Sequence, residues 1–229
     1  MIFTTKPSRR ETILGGIYLL LSMFVLPFLL PAVNAMMGSP FDIIQVNFIY
    51  FFLNFAAATV IFRKYLIQSL RDALKVPFPT VWYAVLGYLG NQTLSSLVVI
   101  FCLWVYPEFA NVNDGNIAGM LSENFPLMFI GTVLLAPVYE ELLYRGLIFR
   151  GLWDRSPAAA HVVSILVFSS LHIIGYIGAY EPMHLLLCFL QYIPAAYCLN
   201  FAYRYSGSIL SPILMHMLTN LMALSAMPR

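Results

Sequence analysis

Six polar side chains stand in strongly apolar surroundings, at spacings that suit chemistry. Glu140, Glu141 and Arg145 lie within LLAPVYEELLYRGLIF (134–149), His172 within VFSSLHIIG (167–175), and His216 with Asn220 within ILMHMLTNLM (213–222). If each stretch is helical, Glu141 and Arg145 at i, i+4 share a face and pair in the favourable acid-first order. Glu140 is turned about 100° away from them and has no local partner. His216 and Asn220, also at i, i+4, project from one face. A carboxylate meeting two imidazoles suits two hydrolytic chemistries. Glu140 can take a proton from water, with His172 beside it and His216 and Asn220 facing an oxyanion. Alternatively Glu140, His172 and His216 hold a metal ion, zinc being the usual choice for two histidines and one carboxylate. Two quieter explanations stand beside these: polar side chains bonding across helices, and a proton relay.

These residues are expensive where they stand. Of 229 residues, 61% are hydrophobic and 10% charged, far from the roughly 25% charged residues of soluble domains. The mean hydropathy of +0.82 agrees. An ionisable side chain within a span costs about 2.5–3.5 kcal/mol on insertion scales, so such residues mark function by default. The composition predicts an all-α, polytopic transmembrane bundle, since lipid offers no partners to open backbone groups. Seven apolar segments are read, near 13–37, 43–62, 80–106, 125–139 running on into the charged motif, 161–180, 183–203 and 209–227. An eighth helix arises if the chain divides around Pro126 or if 140–155 is independent. One integral membrane domain is expected, with N-terminal helices and a cytosolic connector over 1–124 and a catalytic helical core over 125–229.

Charge orients the bundle. Lys6, Arg9, Arg10, Arg63, Lys64, Arg71, Lys75, Arg150, Arg155 and Arg204 occupy alternate loops, and the intervening loops carry Asp42, Glu108, Asp114, Glu123 and Glu181. The positive-inside rule puts the N-terminus in the cytosol, with Arg229 the one basic residue left outside by seven spans. The site is then reached from the cytosolic half of the bilayer. RKYLIQSLRDALKVPFP (63–79) reads as a cytosolic amphipathic connector with Leu66, Leu70 and Leu74 on one face. SRRET (8–12) anchors the first span at the membrane surface, and no cleavable signal peptide is expected.

Other polar residues carry less. Cys102, Cys188 and Cys198 lack metal or disulfide spacing and read as buried thiols. His161 and His184 fall at span ends, where polar tips are cheap. YSGS (205–208) could offer a serine nucleophile but sits where a helix cap belongs. No H-E-x-x-H occurs, which argues against a zincin-type protease.

The same residues carry a family resemblance. EELLYRG resembles the E-E-x-x-x-R motif of the CPBP family, intramembrane proteases related to type II CAAX prenyl endopeptidases and to bacteriocin-processing or Abi proteins. FSSLH resembles its F-x-x-x-H motif through Phe168 and His172, and HMLTN its H-x-x-x-N/D motif through His216 and Asn220. Their order is also that of the family, over roughly 125–225. The resemblance implies that Glu140 activates water with His172, that His216 and Asn220 stabilise the oxyanion, and that Glu141 and Arg145 brace the site. Members are often labelled metalloproteases, and a metal-free glutamate mechanism is a recognised alternative. The amide of Asn220 fits an oxyanion donor better than a zinc ligand.

The expected function is therefore an intramembrane endopeptidase of a multi-pass cell-membrane protein, with no cofactor preferred and zinc the alternative. Its partners are a peptide or membrane-protein substrate and membrane lipid, with no nucleic acid. Compact length without organelle targeting favours a prokaryotic member. A non-catalytic immunity or binding protein and a proton-coupled transporter remain as competing readings of the same polar cavity.

Overall fold

The computed structural model describes Phe3 and residues 5–226, so Met227 and Arg229 lie outside the described residues. Among the described residues ten helices follow one another: α1 (Arg9–Phe24), α2 (Leu26–Met36), α3 (Ile43–Ile61), α4 (Arg63–Lys75), α5 (Pro77–Val105), α6 (Val112–Glu123), α7 (Phe125–Trp153), α8 (Pro157–Leu171), α9 (Pro182–Ser206) and α10 (Leu210–Ala226). Among the described residues there is no β-strand, as the all-α expectation requires. Local chemistry sets several boundaries. Ser8 with Glu11 and Asp42 with Gln45 form reciprocal caps on α1 and α3, Ser156 caps α8, and Gly207 ends α9 at φ 70°.

Five helices, α3, α5, α7, α8 with its continuation to Tyr176, and α9, are long and apolar enough to span a membrane. The pair α1–α2, bent by 56°, makes six; α10 is a shorter apolar helix. The bend falls at Val25, before Pro27, which supplies no N–H and whose ring clashes with the carbonyl four residues back. Two sequence expectations change here. Residues 125–153 form one uninterrupted helical run, so neither proposed split creates an eighth helix; the break lies in the first segment instead. Residues 107–124, read as a loop, contain α6, capped by Asn111.

The basic loops gather at one end of the bundle. Lys6 pairs with Asp154, the Arg150 guanidinium donates to the Thr5 carbonyl, and the Thr5 hydroxyl donates to Asp72. Phe3 packs on Phe149, Trp153 and Tyr203, with the Arg150 and Arg204 guanidinium groups over its ring. SRRET does more than anchor the chain: the Glu11 carboxylate is buried and accepts from Ser8 and, at 3.0 Å, from the Tyr65 backbone N–H. That bond ties α1 to α4. Helix α4 buries Tyr65, Ser69 and Ala73 and exposes Leu70 and Leu74 together with Ile67, whereas Leu66, expected on the same face, packs partly buried against the core. At the opposite, acidic end α6 bonds to the loop after α8 through Asn116 and Tyr176.

Helix α7 is the axis of the bundle. Its most apolar stretch is 67% buried inside the protein, against 22% for α3 and 17% for α5. Close approach is made at small residues. A Cβ on Gly146 would stand 3.0 Å from the Tyr65 ring, and Tyr65 cannot retreat because its hydroxyl lies 2.6 Å from that of Tyr203. Gly146→Leu is therefore expected to lower stability by about 1–3 kcal/mol through overpacking. Denaturant titration of the detergent-solubilised protein checks this, and an unchanged midpoint would refute it.

Candidate functional site

The two glutamates of the charged motif sit between two π-helical stretches of α7, Ile130–Leu135 and Leu142–Phe149, and Arg145 lies within the second. Such wide turns recur at functional sites, and here the sequence explains one consequence. The Ala136 N–H bonds the Gly131 carbonyl five residues back, so the next N–H in that register should reach Thr132. Residue 137 is proline and has none to give. The Thr132 carbonyl is instead taken by the Asn220 side-chain amide at 2.8 Å, which fixes α10 against α7.

One turn on, Glu141 and Arg145 are completely buried and pair at 3.0 Å, as their spacing predicts. The same carboxylate oxygen lies 2.8 Å from His216 Nδ1. Arg145 spends its other donors on the Asn200 side-chain oxygen at 3.3 Å and the Ala196 carbonyl at 3.2 Å, both on α9. Its guanidinium also lies 4.5 Å over the Phe168 ring. Ser164 closes the arrangement by donating to Asn200. The geometric expectation that Glu140 faces both histidines is thus corrected. His216 turns to Glu141, because adding a donor to a buried carboxylate satisfies both groups.

Glu140 is half-buried, and its Oε2 has no protein hydrogen-bond partner. Its charge acts on His172 and on the hydroxyls of Tyr50, Tyr139 and Tyr144. His172 caps α8, and its Nδ1 lies 2.8 Å from the Phe168 carbonyl. A carbonyl only accepts, so Nδ1 carries the proton and Nε2 presents its lone pair in the neutral ring. The His172 ring lies between Phe168 at 4.5 Å and Tyr192 at 4.2 Å, the latter stacked at 28°. In His216 likewise, Nδ1 donates to Glu141 and Nε2 is left for other work. Phe168 touches both histidines and Arg145, so the F-x-x-x-H phenylalanine is the apolar floor of the site.

Among the described residues no group of three or more His, Cys, Asp or Glu side chains is disposed to hold a metal ion. Glu140, His172 and His216 do not converge as a ligand set. The lesser candidates fall as their spacing suggests. Ser206 and Ser208 bond their own turn at the start of α10. His161 packs among Phe149, Trp153 and Tyr197, and the His184 ring bonds the Ala110 carbonyl. The three cysteines are buried and free.

Sequence reasoning missed Tyr50, Tyr192, Asn200 and the Thr132 carbonyl. Asn200 had a readable signal, an amide in an apolar span, and Pro137 marked the open carbonyl. Tyr50 and Tyr192 are two among fourteen tyrosines, and nothing in their spacing sets them apart. At the acidic end Tyr192 stacks on His172 and bonds side chains of α6, whereas Tyr65, Phe149 and Tyr203 are buried together at the basic end. Burial pushes the Asp114 carboxyl at that acidic end above its usual range.

Removing one member of a buried charge pair strands the other, at a cost of about 3–5 kcal/mol. Arg145→Met is therefore expected to destabilise the protein severely, and the double change with Glu141→Gln to recover part of the loss. Unfolding midpoints of the single and double variants in detergent test this; a double variant less stable than Arg145→Met would contradict it.

Residues 122–222, spanning α7 to most of α10 and all three motifs, match the family described as Type II CAAX prenyl endopeptidase Rce1-like. No curated protein and no solved structure matches the chain.

Proposed function

From the match of residues 122–222 to the type II CAAX prenyl endopeptidase Rce1-like family, we propose that the chain is a glutamate-dependent endopeptidase of the cell membrane that hydrolyses peptide bonds in membrane-associated or peptide substrates. The observation that carries this reading is the division of labour between adjacent glutamates. Glu141 Oε1 is consumed by Arg145 and His216, whereas Glu140, half-buried beside His172, bonds neither of them and keeps a buried oxygen without a protein partner; Glu141 Oε2 is likewise unpartnered, but in a residue wholly enclosed by the bundle.

In this reading Glu140 Oε2 accepts a proton from water while His172 Nε2 accepts that water's other hydrogen as a hydrogen bond, fixing its direction. The hydroxide so formed adds to the scissile carbonyl. The resulting oxyanion accepts hydrogen bonds from the Asn220 amide, whose first N–H is spent on Thr132, and from His216 Nε2–H. The second donor requires His216 as imidazolium, and Glu141 is placed to balance it. With Glu140 and Glu141 ionised, Arg145 and imidazolium His216 bring the cluster to formal neutrality, the condition a low-dielectric interior favours. Glu140 then returns its proton to the leaving amine as the C–N bond breaks. Glu141 and Arg145 touch no reacting atom in this scheme and act by holding His216.

Substrate is proposed by class only: extended peptide segments at the membrane. Glu140→Gln is expected to lower peptide cleavage by about 10²–10⁴-fold with folding intact. Comparing membrane and secreted peptides from cells carrying the wild type and Glu140→Gln tests this and identifies substrates together. Equal peptide profiles with equal expression would sink the proposal. Treating the purified enzyme with a chelator is expected to leave activity within about twofold, a lost general-base contribution being far larger; stoichiometric metal lost along with activity would replace the metal-free mechanism.

A further inference from the structure

The link between α6 and His172 is used by no step of the reaction. Tyr192, on α9, stacks against the His172 imidazole with ring centroids 4.2 Å apart. Its hydroxyl accepts from the Asn113 side-chain amide at 3.1 Å and lies 3.2 Å from the side-chain oxygens of both Asn111 and Asp114. Asn111 is itself fixed: its oxygen caps α6 by accepting from the Asn113 and Asp114 backbone N–H groups, and its amide donates to Gln191 at 2.9 Å. Residues that a loop reading would leave at the surface thus set the angle of one aromatic ring inside the bundle.

His172 needs that support. It stands at the C-cap of α8, where the regular helix has ended, and its ring is tied by the one bond from Nδ1 to the Phe168 carbonyl. A single bond lets an imidazole swing about its acceptor; the Phe168 ring at 4.5 Å and the stacked face of Tyr192 at 4.2 Å together close that freedom. We propose that Tyr192 is a positioning residue for His172, held in place by Asn111 and Asp114 at the start of α6. This inference rests on the proposed hydrolysis for its catalytic consequence, and not for its geometry. The competing role is a staple, in which Tyr192 merely fastens α6 to α9 as polar residues in bundles often do.

Four variants separate the two. Tyr192→Leu removes ring and hydroxyl, Tyr192→Phe keeps the ring, Asp114→Ala removes one acceptor, and Asp114→Asn restores an acceptor oxygen. Misplacing a catalytic group by about 1 Å costs about 10²-fold. Tyr192→Leu is accordingly expected to lower kcat by about 10–100-fold with KM within about twofold. Tyr192→Phe should recover most of kcat, and Asp114→Asn should exceed Asp114→Ala. The second readout needs no activity. In protein carrying ¹⁵N-labelled histidine, with His172 assigned through His172→Gln, the wild type is expected to show the Nδ1–H tautomer and ring protons shifted upfield by Tyr192. Tyr192→Phe should keep that shift and Tyr192→Leu should lose it. If Tyr192→Leu leaves the His172 signals and kcat unchanged, or if kcat in all four variants merely tracks the folded fraction, the staple stands and the proposal falls. If the wild type cleaves nothing, the hydrolytic reading fails, and the His172 signals still decide the positioning.

Discussion

One oxygen atom organises this protein. Glu141 Oε1 accepts from Arg145 at 3.0 Å and from His216 at 2.8 Å in a fully buried position. An unpaired charge there would cost several kcal/mol, so the surrounding helices cannot pack without completing the arrangement. Helix α7 brings the acid and the arginine, α10 the histidine, and α9 the carbonyl of Ala196 and the amide of Asn200. Helix α8 contributes Phe168 under the guanidinium and Ser164 on Asn200. The four helices that meet at this carboxylate lie in the segment that matches the protease family. A buried network of this kind specifies an arrangement more than it stabilises one. Here what it specifies is the orientation of His216.

The backbone of α7 makes a complementary contribution. A regular α-helix satisfies its own carbonyls and presents side chains at fixed 100° steps. The wide turns on either side of the glutamates relax both constraints. They leave the Thr132 carbonyl to Asn220, through the missing N–H of Pro137, and they rephase the residues that follow the motif. A regular helix would pair Glu141 with Arg145 equally well. It would not offer α10 a backbone acceptor at the depth where Asn220 stands. The second motif residue of α10 is therefore placed by a local defect in α7.

The pattern of legibility follows from these causes. The i, i+4 pairing of Glu141 with Arg145 is a short-range property of one helix and could be read directly, as could the isolation of Glu140. Ser206–Ser208 as a turn cap depends on local geometry and was equally accessible. The partner of His216 was not, because it depends on how α10 rotates against α7, and two adjacent carboxylates offer that rotation two answers. The cap on α6 lay in plain sight at Asn111, yet the short polar stretch 111–116 carries no apolar periodicity to mark a helix. The bend at Val25 was hidden because an apolar run long enough to cross a membrane conceals a break that only the effect of Pro27 on the preceding turn reveals.

The two ends of the bundle are built on opposite principles. At the basic end Phe3, Phe149, Trp153 and Tyr203 form an aromatic cluster under arginine guanidinium groups, with Tyr65 bonded to Tyr203 beneath it. Such a plug buries area and offers little to hydrogen-bond a solvent molecule. At the acidic end the chain from His172 passes through a stacked tyrosine into asparagine and aspartate side chains of α6. The same helices thus carry a polar strap at one end and an aromatic cluster at the other. That placement makes the length of α8 consequential: His172 stands where the helix stops, stacked on the tyrosine that the strap holds.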